Sequence, residues 1–201
     1  MIDALEFIHY LEKKGVNFFV GVPDSLLKDF TSCVSETLDV SKYLITANEG
    51  NAIAVASGYS LGTGEVPAVF MQNSGLGNCI NPLTSLTNKE VYSIPMILLI
   101  GWRGDPDQKD EPQHKLPGQI LKRQLDLLNI PNFVIDSSTN FYDIINNAID
   151  KTNSIQAPVA LIFKKNSFKK YLPKKSKSQH SIITRKQAIK KILSSLKKND
   201  V

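Results

Sequence analysis

Cysteine is scarce in this chain, with two residues, Cys33 and Cys79, and tryptophan scarcer still, at Trp102 alone. The two cysteines sit in apolar helical surroundings without metal-ligand spacing or a secretory context, so they read as reduced core residues rather than a disulfide or a metal site. Unbroken apolar runs are missing too. The longest, around residues 94–100, is strand-sized and interrupted by Pro95, too short for a membrane span. The opening MIDALEFIHYLEKKG carries acids within an amphipathic helical pattern and is not a signal peptide, so a cytoplasmic protein is expected. Repeats at solenoid period are absent. The glycine spacing fits neither a phosphate-binding loop nor a dinucleotide fingerprint.

The charge is unevenly distributed. Up to Phe163 there are 11 basic and 18 acidic residues; from Lys164 onward there are 13 basic and one acidic. The basic excess therefore belongs to the tail, where KKNSFKKYLPKKSKSQH reads as a solvated linker. It lacks the interleaved aromatics of a base-stacking surface, which argues against a nucleic-acid partner.

What the sequence does hold is a regular alternation. Helix about 3–14 is followed by strand NFFVGV, helix LLKDFTSCV, strand KYLIT, a helix from Glu49, strand PAVFMQ, helix CINPLTSLT and strand IPMILLI. Helix QILKRQLDLLN, strand NFVID, helix FYDIINNAID and strand PVALIF complete the set. Strands alternating with helices predict an α/β fold: a three-layer, doubly wound parallel sheet of about six strands. The expected domain spans 1–163, a basic linker 164–183 and a final amphipathic helix 184–201, capped by Thr184.

One stretch organises the functional reading. YLITANEGNAIAVASGYSLGTG contains a single ionisable side chain, Glu49, in an otherwise uncharged run. Ala52, Ile53, Ala56, Ser57 and Ser60 follow at helical spacing, which predicts a buried helix with Glu49 in its first turn. A carboxyl removed from water holds its proton more tightly and becomes a candidate proton partner. Complementing the helix dipole is the plainer role. Asp24 or Ser25 can cap the next helix after the first strand. Gly75 and Gly77 allow a close backbone approach to a ligand. The segment GWRGDPDQKDEPQHKLPG is expected to be a long irregular loop. Its Arg103, Lys109, Gln113 and His114 suit an anionic group.

GVPDSLL, ANEGNAIAVASGY, MQNSGLGNCINPLTSL and GWRGDPDQKDEPQH, in this order, resemble the N-terminal half of phosphonopyruvate decarboxylases, which use thiamine diphosphate. The resemblance covers 1–163. It implies the pyrimidine-binding domain of that cofactor fold, with Glu49 as the catalytic glutamate that hydrogen-bonds N1′ of the aminopyrimidine. Gln72, Asn73, Gly75 and Asn78 would join it around the cofactor. Asp24 and Ser25 match a turn facing the thiazolium and substrate, and Arg103, Lys109, Gln113 and His114 are expected to recognise the substrate's head group. The implied reaction converts phosphonopyruvate, a 2-oxo acid, to phosphonoacetaldehyde and carbon dioxide. One element of the family pattern is absent: no GDG segment for diphosphate and Mg²⁺ occurs. No metal ligand is therefore expected in this chain; the Mg²⁺ ligands would come from a complementary subunit or from another domain of a homo-oligomer. The alternatives are an alpha-type subunit of a sulfopyruvate decarboxylase and a truncated, non-catalytic binding module.

Overall fold

The computed structural model describes residues 1–173 and 183–197. Six parallel strands form one sheet: β1 Phe19–Gly21, β2 Tyr43–Ile45, β3 Ala68–Gln72, β4 Ile97–Gly101, β5 Asn132–Ile135 and β6 Val159–Phe163, in the order β2-β1-β3-β4-β6-β5. The helices that connect them are α1 Ala4–Lys13, α2 Lys28–Thr37, α3 Glu49–Thr63, α4 Ile80–Ser85, α5 Pro112–Leu127 and α6 Phe141–Ile155, and α7 Arg185–Ser195 follows.

Side chains along a strand alternate between faces, and two separate cores result. Phe19, Phe70, Leu99, Leu161 and Phe163 point to one side and meet Phe7, Phe30 and Ile145 of α1, α2 and α6. Val20, Met71, Leu98, Ile100 and Ile162 point to the other and meet Ile53, Leu83 and Leu121 of α3, α4 and α5. β3, β4 and β6 are thus covered on both faces, which is why their sequences are almost continuously apolar. The expected three-layer parallel fold is the observed one.

The order of strands positions the site. From β1 the chain moves outward to β2, then returns to add β3 on β1's other flank. The loops leaving β1 and β3 therefore depart to opposite faces at the carboxyl edge, the usual ligand position in such sheets.

Three details differ from expectation. The helix after β4 begins at Pro112, seven residues before the predicted QILKRQLDLLN. Pro112 suits a first helical position, whereas the Pro117-Gly118 pair inside the helix imitates a breaker. Gly118 is there for close approach: a Cβ on it would stand 1.8 Å from the Gly104 carbonyl oxygen. Neither Asp24 nor Ser25 caps α2, whose N-cap is Leu27. Asp24 instead closes the preceding turn, its Oδ2 accepting the Leu26 N–H at 3.0 Å. Finally, the first residues read as linker pack on the body. Phe168 is buried, and Tyr171 donates its N–H to Asp29 and its hydroxyl to Glu36. The rest of that segment, 174–182, and residues 198–201 lie outside the described residues; the last helix, expected over 184–201, ends at Ser195.

Thr184 caps α7 as expected, and Gln187 completes a capping box with it. Cys33 and Cys79 are free and buried. Among the described residues no helix is long and apolar enough to cross a membrane.

Candidate active site

Every candidate residue belongs to a segment leaving the carboxyl edge of the sheet. The loops of β2 and β3 supply one half. Asn48 caps α3 by accepting the Asn51 N–H at 2.9 Å, which fixes Glu49 in the first turn. The helix then packs on the 3-10 turn Asn73–Cys79 through two glycines. A Cβ on Gly50 would meet the Asn78 carbonyl oxygen at 2.7 Å, and one on Gly75 would meet Glu49 Oε1 at 2.3 Å. The Glu49 carboxyl thus rests directly on the Gly75 backbone. Asn78 Nδ2 donates to Oε2 at 2.7 Å, and among the described residues no hydrogen bond reaches Oε1. Beneath lies Cys79, whose thiol is pushed up to about 12 by burial, with the Glu49 charge adding to it.

The expected burial of Glu49 is corrected by this geometry. The predicted face of α3, Ala52, Ile53, Ala56, Ser57 and Ser60, is the buried one, but Glu49 itself is half-buried. Its turn emerges past the end of the sheet, where among the described residues it is left partly uncovered. A lack of neighbouring charge reflected small outward residues such as Ala54 and Gly58, which are exposed.

The loops of β1 and β4 supply the other half. Asp24 is 5% exposed and lies against Gly101, where a Cβ would stand 2.1 Å from its Oδ2; its Oδ1 has no hydrogen-bond partner. Burial is the largest influence on this carboxyl and holds its pKa above the ordinary range, against the opposing pull of nearby backbone N–H groups and Arg103. A group whose folded pKa is raised stabilises the fold most when protonated, and that contribution is lost as pH rises through the folded value. Asp24→Asn cannot ionise. It should therefore melt higher than wild type near neutral pH, by about 1 kcal/mol. The gap should close below the ordinary carboxylate range, as thermal melts across pH would record.

Arg103 is committed to Asp110. Its Nε and Nη2 donate to the two carboxylate oxygens at 2.8 and 2.6 Å, and its Nη1 donates to Ser25 Oγ at 2.9 Å. Asp110 also accepts the N–H groups of Gly104 and Glu111. The Arg103 hydrogen bonds, first among these, hold Asp110 well below the usual carboxylate range. Asn73 is buried and ties the β3 turn to the same loop: its Nδ2 donates to the Arg103 carbonyl and its Oδ1 accepts the Arg103 N–H. Gln72 donates to Ser74 Oγ. Trp102 Nε1 donates to the Gly118 carbonyl, and the Lys164 ammonium lies 5.5 Å from the Trp102 ring centre while pairing with Asp105 and Asp107. The loop is therefore pinned at several points.

Ser25, Arg103 and Lys109 line one hollow of about 220 Å³, together with Trp102, Asp110 and Lys165. Gln113 and His114 do not line it, because α5 has already begun and carries them away. Lys165 was missed by sequence reasoning, which absorbed it into a charge run. Its position directly after β6 was the available signal.

A doubly wound domain with a carboxylate and a cationic hollow at its carboxyl edge carries these groups where open α/β sheets usually bind ligands. Residues 4–127 match the family described as thiamine pyrophosphate enzyme, N-terminal TPP binding domain. The chain belongs to this family. It is 41% identical over 140 residues to phosphonopyruvate decarboxylase of Streptomyces viridochromogenes, covering 70% of this chain and 34% of that one. It is 35% identical over 148 residues to sulfopyruvate decarboxylase subunit alpha of Methanococcus maripaludis, covering 74% of this chain and 86% of that one. The match thus spans about a third of the first relative's length and most of the second's. Benzoylformate decarboxylase of Polynucleobacter necessarius has the same fold, with a TM-score of 0.64 at 18% identity over 88% of this chain and 32% of that one.

Proposed function

We propose that this chain is the pyrimidine-binding component of a thiamine diphosphate-dependent 2-oxo acid decarboxylase, acting on phosphonopyruvate to give phosphonoacetaldehyde and carbon dioxide. The observation that carries this reading is the Glu49 carboxyl: one oxygen held by Asn78, the other open among the described residues, the group resting on Gly75 at the carboxyl edge of the sheet. When bound, the cofactor would supply an electron sink for the electron pair left on the substrate's keto carbon as the carboxylate departs as carbon dioxide. Glu49 presents Oε1 as acceptor for a proton at the pyrimidine N1′, and Asn78 fixes the direction in which that oxygen points. Gly75 leaves a flat floor for Glu49, and Asn73 holds the β3 turn and the β4 loop in one arrangement. Asp24, with its raised proton affinity and unpaired Oδ1, would hold or return a proton on the substrate side of the cofactor.

The residues present fit the pyrimidine end only. Among the described residues no group of three or more His, Cys, Asp or Glu side chains could hold a metal ion. Because the sequence holds no GDG segment, the diphosphate and Mg²⁺ sites are assigned to a second domain or subunit, in a cytoplasmic assembly of more than one chain. Leu44 and Ile45 on the edge strand β2 are 43% and 52% exposed, and Ile80 at the start of α4 is 36% exposed, apolar surface that such a neighbour would cover. The division into a domain, extended past Phe163 by the packing of Phe168 and Tyr171, then a linker and a leading helix belongs to the same reading.

Sulfopyruvate is the second substrate to consider, because this chain matches 86% of the length of a sulfopyruvate decarboxylase alpha subunit. A direct comparison of the two acids with the assembled enzyme decides between them. Isothermal titration with thiamine diphosphate and Mg²⁺ tests the division of labour. Binding should be weak or absent with this chain alone and micromolar or better once a GDG-bearing partner is added. Equal affinity without the partner would contradict it, and no binding in either case would leave a non-catalytic module.

A further inference from the structure

The charges around the 220 Å³ hollow do not cancel. Arg103 is answered by Asp110, and Asp105 shares Lys164, which lies outside the lining, with Asp107, at 3.2 and 2.9 Å. Lys109 and Lys165 remain, and neither forms an ion pair among the described residues. Ser25 Oγ already accepts from Arg103, so its own O–H is free to donate. The hollow is small and polar, below the several hundred Å³ of a drug-sized site, and so suits a compact oxyanion.

We propose that Lys165, with Lys109 and the Ser25 hydroxyl, forms the seat for the substrate's terminal dianionic group and selects a phosphonate over a sulfonate. This rests on the decarboxylase reading and adds to it a residue and a substrate class. Its position is set by the fold. Lys164 is pinned by Asp105 and Asp107, and its backbone donates to the Ile135 carbonyl, so the next residue leaves the end of β6 on a fixed path beside the β4 loop. Two unpaired ammonium groups in one small hollow match two negative charges. A phosphonate takes on its second negative charge above neutral pH, later than a phosphate monoester with its second ionisation at about pH 6, because carbon withdraws electrons less than an ester oxygen; by about pH 8 it carries most of that second charge. A sulfonate carries one at any such pH and leaves one ammonium unanswered.

Trp102 lines the hollow and is the sole tryptophan of the chain, so its fluorescence reports occupancy directly. The full chain should be titrated at about pH 8 with methylphosphonate and with methanesulfonate. Methylphosphonate should bind at least about tenfold more tightly, and Lys165→Met should weaken it by about tenfold, the loss of one close charge partner at the surface. Lys165→Arg should retain most of the affinity, and Lys170→Met, outside the lining, should behave as wild type. In the assembled enzyme Lys165→Met should raise KM for phosphonopyruvate with kcat little changed. Equal binding of the two probes, no loss in Lys165→Met, or no response of the wild-type chain would each overturn the proposal. If the probes fail while thiamine diphosphate still binds the assembly, only the seat is wrong. If methylphosphonate binds as described but the assembly binds no thiamine diphosphate, it is the decarboxylase reading that falls.

Discussion

Glu49→Gln lowers turnover of the assembled enzyme by about 10²–10⁴-fold, the range expected when a positioned proton partner is removed. The substitution keeps the shape of the side chain, so the contact with Gly75 and a hydrogen bond to Asn78 can persist. What it removes is the charge at the open oxygen. An amide oxygen still accepts a hydrogen bond but no longer holds a proton, so binding of thiamine diphosphate should weaken far less than kcat. Steady-state kinetics combined with calorimetric titration separate the two quantities. A loss of binding equal to the loss of turnover would assign Glu49 a merely structural role.

Gly75→Ala is expected to cost about 10²-fold in kcat with the fold intact. The added methyl group would stand 2.3 Å from Glu49 Oε1, 2.4 Å from Cδ and 2.6 Å from Cγ. Backbone strain is not the cause, since Gly75 is not among the glycines with positive φ. The carboxyl must swing away from Asn78, and a displacement of about 1 Å at a catalytic group is enough for a loss of this size. Thermal melting should change little because Glu49 is half-buried and makes no ion pair among the described residues. Full activity in Gly75→Ala would mean that the carboxyl's position does not matter.

The buried face of α3 and the parallel order of the strands were legible in the sequence because both rest on periodicity, the signal that burial imposes most directly. Glu49 was legible for a related reason, a lone charge at a helix start. Its half-burial was not, since an uncharged run does not distinguish a covered face from one left for a neighbour. The start of α5 was hidden by Pro117 and Gly118, whose presence is explained only by the loop backbone lying on the helix. Arg103 looked free for a ligand because its partner, Asp110, comes within reach only when the loop folds back. Lys165 was hidden by its neighbours: a run of lysines gives no sign that one of them is pinned to carboxylates and the next is not.

Exchange of the C2 proton of thiamine diphosphate into deuterated water, followed by proton NMR in the assembled enzyme, isolates the step that Glu49 is assigned. Wild type should exchange it at least about 100-fold faster than Glu49→Gln under conditions where both are saturated. Equal exchange rates in the two proteins would show that this carboxyl does not activate the cofactor.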